Sequence, residues 1–347
     1  MQRYIQSEKV KKYDKIRTRK VLKKRWRTEK ERQKRAERIN VGLNVAQYVR
    51  SKATKHFTEY RTPENFSLRN NVDEVVSYFS DLIKAFSRGD SVFINISDVK
   101  NISSDVILYL LSVLDIINQR HGIGRAKGNA PKDAKCLELL MESGFYDYVT
   151  HRGEFRTTNP NILRIRKSNL VMSNVAAEVI DFTTTHLRVK QSSITRSIYN
   201  TILECMQNTR GHAYSNKDHS SSQWWLIAQH DKNNGRVNFT FLDNGMGIPH
   251  TVRKKLWEKV LGGTDNKLIT SALQGDFRAQ SGDPWRGKGL PQINTYFKEK
   301  VIENLLIISN KGYINHEIGS IKDLVGFFNG TLLSWDFILK KERVNSV

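Results

Sequence analysis

"FLDNGMGIPH", residues 241–250, sets an aspartate, an asparagine and two glycines against the end of an apolar run. A chain carries such a cluster where its backbone must turn, or where something approaches that backbone closely. The run it ends, "RVNFTFLD" (236–243), has the β-branched and aromatic character of a strand. Another such run, "QWWLIAQH" (223–230), precedes it, and Asn234-Gly235 between the two is a hairpin signal. "NLLIISN" (304–310) and "GTLLSWDFIL" (330–339) read as two further strands. Trp224 and Trp225 are expected to pack the two faces of their strand rather than stack on a ligand.

Three other short motifs stand in order with this one. "LECMQNTRGHAY" (203–214) has helical character and puts Glu204 and Asn208 four residues apart on one face, with His212 a turn further on. A carboxylate and a carboxamide so placed could line a pocket, although alone they describe a solvated helix face. Arg286-Gly287-Lys288-Gly289-Leu290-Pro291 leads into "QINTYF", a helix-like run. Gly330-Thr331 opens the last strand. Each motif is weak by itself. Cys205 reads as an ordinary small helix residue, and His212 as a residue making a helix-face hydrogen bond.

Upstream, "NVDEVVSYFSDLIKAFSRG" (71–89) has helical apolar spacing and ends on glycine. "SVFINIS" (91–97) reads as a strand, and "SSDVILYLLSVLDIINQRHG" (103–122) as a helix that Ser103 or Ser104 would cap. A third helix is expected from near Pro131 to just before Gly144. Strand and helix alternate here as in a small α/β domain. Residues 151–175 read as a polar connector, and a long helix pattern with one interruption runs from about 176 to His212. Residues 250–285 are mixed, polar and too long for an ordinary connection.

The chain has 347 residues, enough for one to three domains. No apolar window is long enough for a transmembrane helix, and the N-terminus lacks the apolar stretch of a secretory signal. Two distant cysteines, Cys136 and Cys205, argue for a reducing, cytoplasmic setting. The net charge of +22 is uneven, because residues 1–38 hold 17 Lys/Arg against 5 Asp/Glu. This arm reads as a solvated helix or disordered segment, with Lys11, Lys12, Arg17, Arg19, Lys20, Lys23, Lys24, Arg25 and Arg27 as candidate phosphate contacts. Nucleic acid or another polyanion is the expected partner, with acidic protein or plain solvent as the alternatives.

Together the four motifs over 180–340 resemble the GHKL family of ATP-binding proteins, whose fold is the layered α/β Bergerat sandwich. "ExxxNTxxHA" and "RGxGLP" fit its anti-sigma-kinase and standalone ATPase branch. The resemblance implies ATP and Mg²⁺ as ligands. It implies a nucleotide site from Asn208, Asp243, Gly245, Gly247, Ile248, Arg286, Gly287, Lys288, Gly289, Leu290 and Thr331, and a mobile lid over 250–285. The chemistry agrees residue by residue. Asp243 can accept the amino group of adenine, and Thr331 can support the same edge. Glycines 245 and 247 let the base lie against the backbone. Asn208 offers an oxygen to Mg²⁺, and Glu204 can orient or deprotonate water as the catalytic base. Gly287 and Gly289 free backbone N–H groups at a helix start, and Arg286 and Lys288 add cations.

Residues 65–150 resemble the STAS domain, through "VFINISDVKNISSD" and "LLMESGFYDYV". Where that family can place an aspartate before a phosphoacceptor serine, this chain reads Ser103-Ser104-Asp105, so helix capping is the expected job of these serines. The expected organisation is therefore a basic arm (1–56), a STAS-like α/β domain (57–150), a connector (151–175) and a GHKL ATPase domain (176–347). The leading functional expectation is an ATP-hydrolysing switch that controls a protein partner or nucleic acid, with a homodimer among its forms. The alternatives are a serine/threonine kinase of the partner-switching type and a nucleotide-sensing nucleic-acid scaffold, such as an accessory ATPase of a stress or phage-defence system.

Overall fold

The computed structural model describes residues 57–122, 124–149, 159–188, 193–212, 222–255, 263–276 and 289–338. The chain divides into two compact units, Met1–His56 and Phe57–Val347. The basic arm, with its nine candidate phosphate contacts, lies outside the described residues.

The second unit is mixed α/β. It opens with β1 (Phe57–Arg61), β2 (Asn65–Phe66), α1 (Val72–Ser87), β3 (Ser91–Asn95), β4 (Asn101–Ile102) and α2 (Ser104–His121). β5 (Ala126–Gly128), α3 (Ala134–Glu142) and α4 (Phe145–Val149) complete this region. β1, β3 and β5 form a parallel sheet in that order, and β2 pairs β4 in parallel. α1 and α2 start and stop where the apolar spacing predicts. α3 starts later than Pro131, because the Asp133 carboxylate accepts the Cys136 N–H at 2.9 Å and sets the cap there. The serines do not cap through their side chains. Ser103 sits at the N-cap position, but its hydroxyl donates to the Asp105 carboxylate. Ser104 is buried and bonds Thr240 at 3.2 Å.

The larger sheet is antiparallel, in the order β6-β7-β8-β10-β9. Its strands are β6 (Ile162–Ser168), β7 (Trp224–Asp231), β8 (Arg236–Asp243), β9 (Glu303–Asn315) and β10 (Ser320–Ile338). β6 falls inside the stretch expected as a connector: Leu163 and Ile165 are buried while the Arg and Lys between and after them are not, the period of a half-buried strand. The helices are α5 (Ser173–Leu187), α6 (Ser193–His212), α7 (Ile248–Lys255), α8 (Asp265–Gln274) and α9 (Gly289–Lys298). The segment 250–285, expected as irregular, thus contains most of α7 and all of α8.

Strand alternation divides the core in two. Trp224, Leu226, Phe239, Phe241, Ile307, Leu333 and Trp335 pack with α5, α6, α8 and α9 on one face. Trp225, Ile227, Leu242, Leu306, Ile308 and Leu332 pack with α1 and α2 on the other. The two tryptophans therefore fill opposite faces, as expected. The small parallel region seals the second face. Tyr109 of α2 stacks on Phe328 with centroids 4.0 Å apart, and its hydroxyl accepts the Asn329 N–H at 3.1 Å. Arg69 reaches across to the Asn304 carbonyl at 3.0 Å, Glu317 at 2.7 Å and the Ser334 hydroxyl at 3.0 Å.

Candidate functional site

β8 ends at Asp243, and the next four residues turn the chain into α7. The turn is tied down at each step. The Gly245 N–H donates to Asp243 Oδ1 at 2.8 Å. Asn244 and Gln223 exchange two bonds, at 2.7 and 3.2 Å, which fixes the turn to the start of β7. Gly247 has φ +87°, and a Cβ there would lie 2.6 Å from Asn310 Oδ1, so neither conformation nor space admits a side chain. Asn310 Nδ2 donates to the Met246 carbonyl at 3.1 Å. α7 then begins with the Ile248 N–H donating to Ser309 Oγ at 2.9 Å.

Beside this turn runs the start of the paired half of β10. Thr331 is the register partner of Asp243. Gly330 before it has φ +94°, and a Cβ would fall onto the Asp243 carbonyl oxygen, so this glycine sets the spacing between the strands. Backbone N–H groups of Gly245 and Thr331 both face the Asp243 carboxylate. They only partly offset the loss of water, and burial pushes its pKa up to about 7. Asp243 is half-buried by surface, because its one accessible side opens into a cleft.

The cleft encloses a cavity of about 110 Å³. Phe241, Leu333, Ile248, Val252 and Leu290 give it apolar walls, and Asp243, Thr331 and Asn208 supply convergent polar groups. That is the usual make-up of a small-molecule site. Of the residues expected from sequence, Asn208, Asp243, Gly245, Gly247, Ile248, Gly289, Leu290 and Thr331 all line it. Arg286, Gly287 and Lys288 lie outside the described residues, as does the His212 side chain. Cys205, expected as an ordinary helix residue, is buried and also lines the cleft.

Glu204, expected as the catalytic base, does not line the cleft: it lies one turn before Asn208 on α6 and turns toward Gly289, the first residue of α9, which does. Its carboxylate accepts the Gly289 N–H, while burial raises its pKa. A Cβ on Gly289 would fall inside the Glu204 side chain, so the glycine makes this approach possible. A carboxylate at a helix N-terminus also meets the positive end of the helix dipole.

Sequence reasoning missed Ser309 and Asn310. Ser309 is fully buried and bonds Gly330 O at 3.1 Å and Thr331 Oγ1 at 3.1 Å, besides Ile248. A serine inside an apolar strand gives no sequence signal beyond being polar where its neighbours are not.

A second cleft of about 360 Å³ lies between α2 and the other face of the sheet, lined by Arg69, Asp105, Arg236 and Asp336 among others. Its charges already answer one another. Arg69 pairs Glu317 at 2.7 Å, Arg236 pairs Asp231 and Asp336 at 3.2 and 3.1 Å, and Asp105 accepts the Leu68 and Arg69 N–H groups. The first cleft is therefore the candidate site. Compared with protein-family models and with curated proteins, the chain matches none.

Proposed function

We propose that this chain binds Mg-ATP in the cleft at Asp243 and hydrolyses it, with Glu204 as general base. The observation that carries the reading is the placement of Asp243. A carboxylate held by two backbone N–H groups keeps its remaining lone pairs toward an apolar cleft, where it rewards a ligand that brings a hydrogen-bond donor. The amino group of adenine is such a donor. An antiparallel five-stranded sheet with α5, α6, α8 and α9 on the cleft face supports the resemblance to the GHKL family and its Bergerat fold. The small parallel sheet with α1 and α2 supports the STAS-like reading of residues 57–150.

The residues present fit the ligands. Asn208 would offer its carboxamide oxygen to Mg²⁺, which would supply charge neutralisation at the phosphates. The N-terminus of α9 would face the phosphates, beside Glu204. Glu204, with its pKa raised by burial, is suited to take a proton from water. Ser104 is 5% exposed and bonded to Thr240, and Ser103 is engaged by Asp105, which favours water over these two serines as the phosphoryl acceptor. The basic arm keeps its proposed polyanion partner on charge alone.

Steady-state phosphate release tests the reaction. Glu204→Gln is expected to lower turnover by at least about 100-fold, the usual contribution of a general base, with ATP binding retained. Turnover that survives the substitution would remove Glu204 from the mechanism. A parent that releases no phosphate would reduce the proposal to ATP binding.

A further inference from the structure

Resting on the ATP reading of this cleft, we infer that Ser309 is a specificity-determining positioning residue. It fixes the Thr331 hydroxyl as an acceptor, so that the cleft recognises the 6-amino group of the base through two acceptors, Thr331 and Asp243.

The inference follows from counting protons. The Ser309 hydroxyl has one hydrogen and two lone pairs, and three groups surround it. The Ile248 N–H can only donate, and does so at 2.9 Å. The Gly330 carbonyl can only accept, and lies 3.1 Å away. The Thr331 hydroxyl, at 3.1 Å, can do either. One arrangement satisfies all three. Ser309 donates its hydrogen to Gly330 O, accepts from Ile248, and takes the Thr331 hydrogen on its second lone pair. The opposite arrangement, with Ser309 donating to Thr331, would strip the buried Gly330 carbonyl of this bond. Burial makes that omission costly, since Ser309 is fully buried and Thr331 is 5% exposed.

Thr331 lines the cleft, and its hydrogen is turned away from it toward Ser309. Above about pH 7, where Asp243 is ionised, the free lone pairs of Thr331 and those of this register partner then form one wall with acceptors and no hydroxyl hydrogen. An amino group has two hydrogens and can serve both acceptors, directly or through one water. A purine without the 6-amino group brings none and leaves both acceptors unpaired, which is the costly case. Ser309 touches no ligand and acts through Thr331.

Calorimetry with two probes reads this directly: a non-hydrolysable ATP analogue and purine riboside 5′-triphosphate, which lacks the 6-amino group. The parent is expected to prefer the amino form by about 100-fold, the worth of two hydrogen bonds in a closed site. Ser309→Ala frees Thr331 to donate toward the ring nitrogen, and the preference is expected to fall about tenfold. Ser309→Thr keeps the hydroxyl and restores the preference. Thr331→Val is expected to lower it as much as Ser309→Ala does, and the double variant no further.

A Ser309→Ala chain that weakens both probes equally, with the preference intact, has lost only structure and overturns the inference. Should that variant not fold, Thr331→Val decides, since an unchanged preference there also overturns it. A folded parent that binds neither probe refutes the ATP reading itself, which is a different result.

Discussion

A carboxylate that loses most of its water and gains two backbone N–H groups in return, as Asp243 does, is left with a cost in the chain by itself. Its pKa moves from the ordinary 3.8 to about 7, with burial as the cause. The folded chain then holds a proton, between about pH 4 and pH 7, that the unfolded chain has released. Stability from this group is therefore present at low pH, is lost as pH rises through that window, and stays lost above it. Asp243→Asn removes the titration. In urea unfolding, the variant is expected to gain on the parent by about 1–3 kcal/mol between pH 5 and pH 8, discounted for the accessible side of the group. A gap that stays constant with pH would mean that Asp243 is not desolvated as described. A residue that costs stability where a small side chain would not is one whose use lies in the cleft.

The glycines show how the elements are set around that residue. Gly289 opens α9, where alanine ordinarily favours a helix by about 0.5–1 kcal/mol. Here the extra methyl would displace Glu204, so Gly289→Ala is expected to lower ATP turnover about 100-fold. Wild-type turnover in that variant would show that Glu204 does not need this seat. Gly330→Ala strains a positive φ and drives β10 off the Asp243 carbonyl, for an expected loss of about 2–4 kcal/mol in chemical unfolding. An unchanged midpoint would contradict the close approach.

The sequence was legible where one pattern acts alone. α1 and α2 carry helical spacing, and β7 and β8 are apolar runs about a turn signal. Asn208, Asp243, Gly245, Gly247, Ile248, Gly289, Leu290 and Thr331 come to one cleft, although they lie far apart in sequence, while Glu204 stands beside it against Gly289. β6 was hidden because polar Asn-Pro and Arg residues surround only two buried side chains. The first half of β10 was hidden because Asp323, Gly326 and Gly330 break an alternation in which Leu324 and Phe328 are buried and Val325 and Phe327 are not. α7 and α8 were hidden by glycine and polar residues, since tertiary contacts rather than propensity hold them. Asp265 accepts the Lys311 N–H at 2.9 Å, and Asp323 accepts the Asn266 N–H at 2.9 Å. Ser309 could not be read at all, because its value lies in strand register.

The five-stranded sheet is a wall shared by the cleft on one face and the small parallel region on the other. Thr240 and Ser334 lie three residues along β8 and β10 from Asp243 and Thr331, and face the other way, where Thr240 meets Ser104 at 3.2 Å and Ser334 meets Arg69 at 3.0 Å. Ligand binding at the strand ends should therefore reach α2. Hydrogen exchange with a non-hydrolysable ATP analogue and Mg²⁺ is expected to slow in the first turn of α2 as well as in α7 and β8. Slowing confined to α6, α7 and α9 would mean that the two faces do not communicate. The most direct test of the central claim is calorimetry of the parent and Asp243→Asn with the same analogue and Mg²⁺. The account predicts saturable one-to-one binding by the parent, weakened about 10- to 100-fold in the variant while its unfolding stays cooperative. Equal affinity in the two chains would contradict it, and "FLDNGMGIPH" would then be a turn without a ligand.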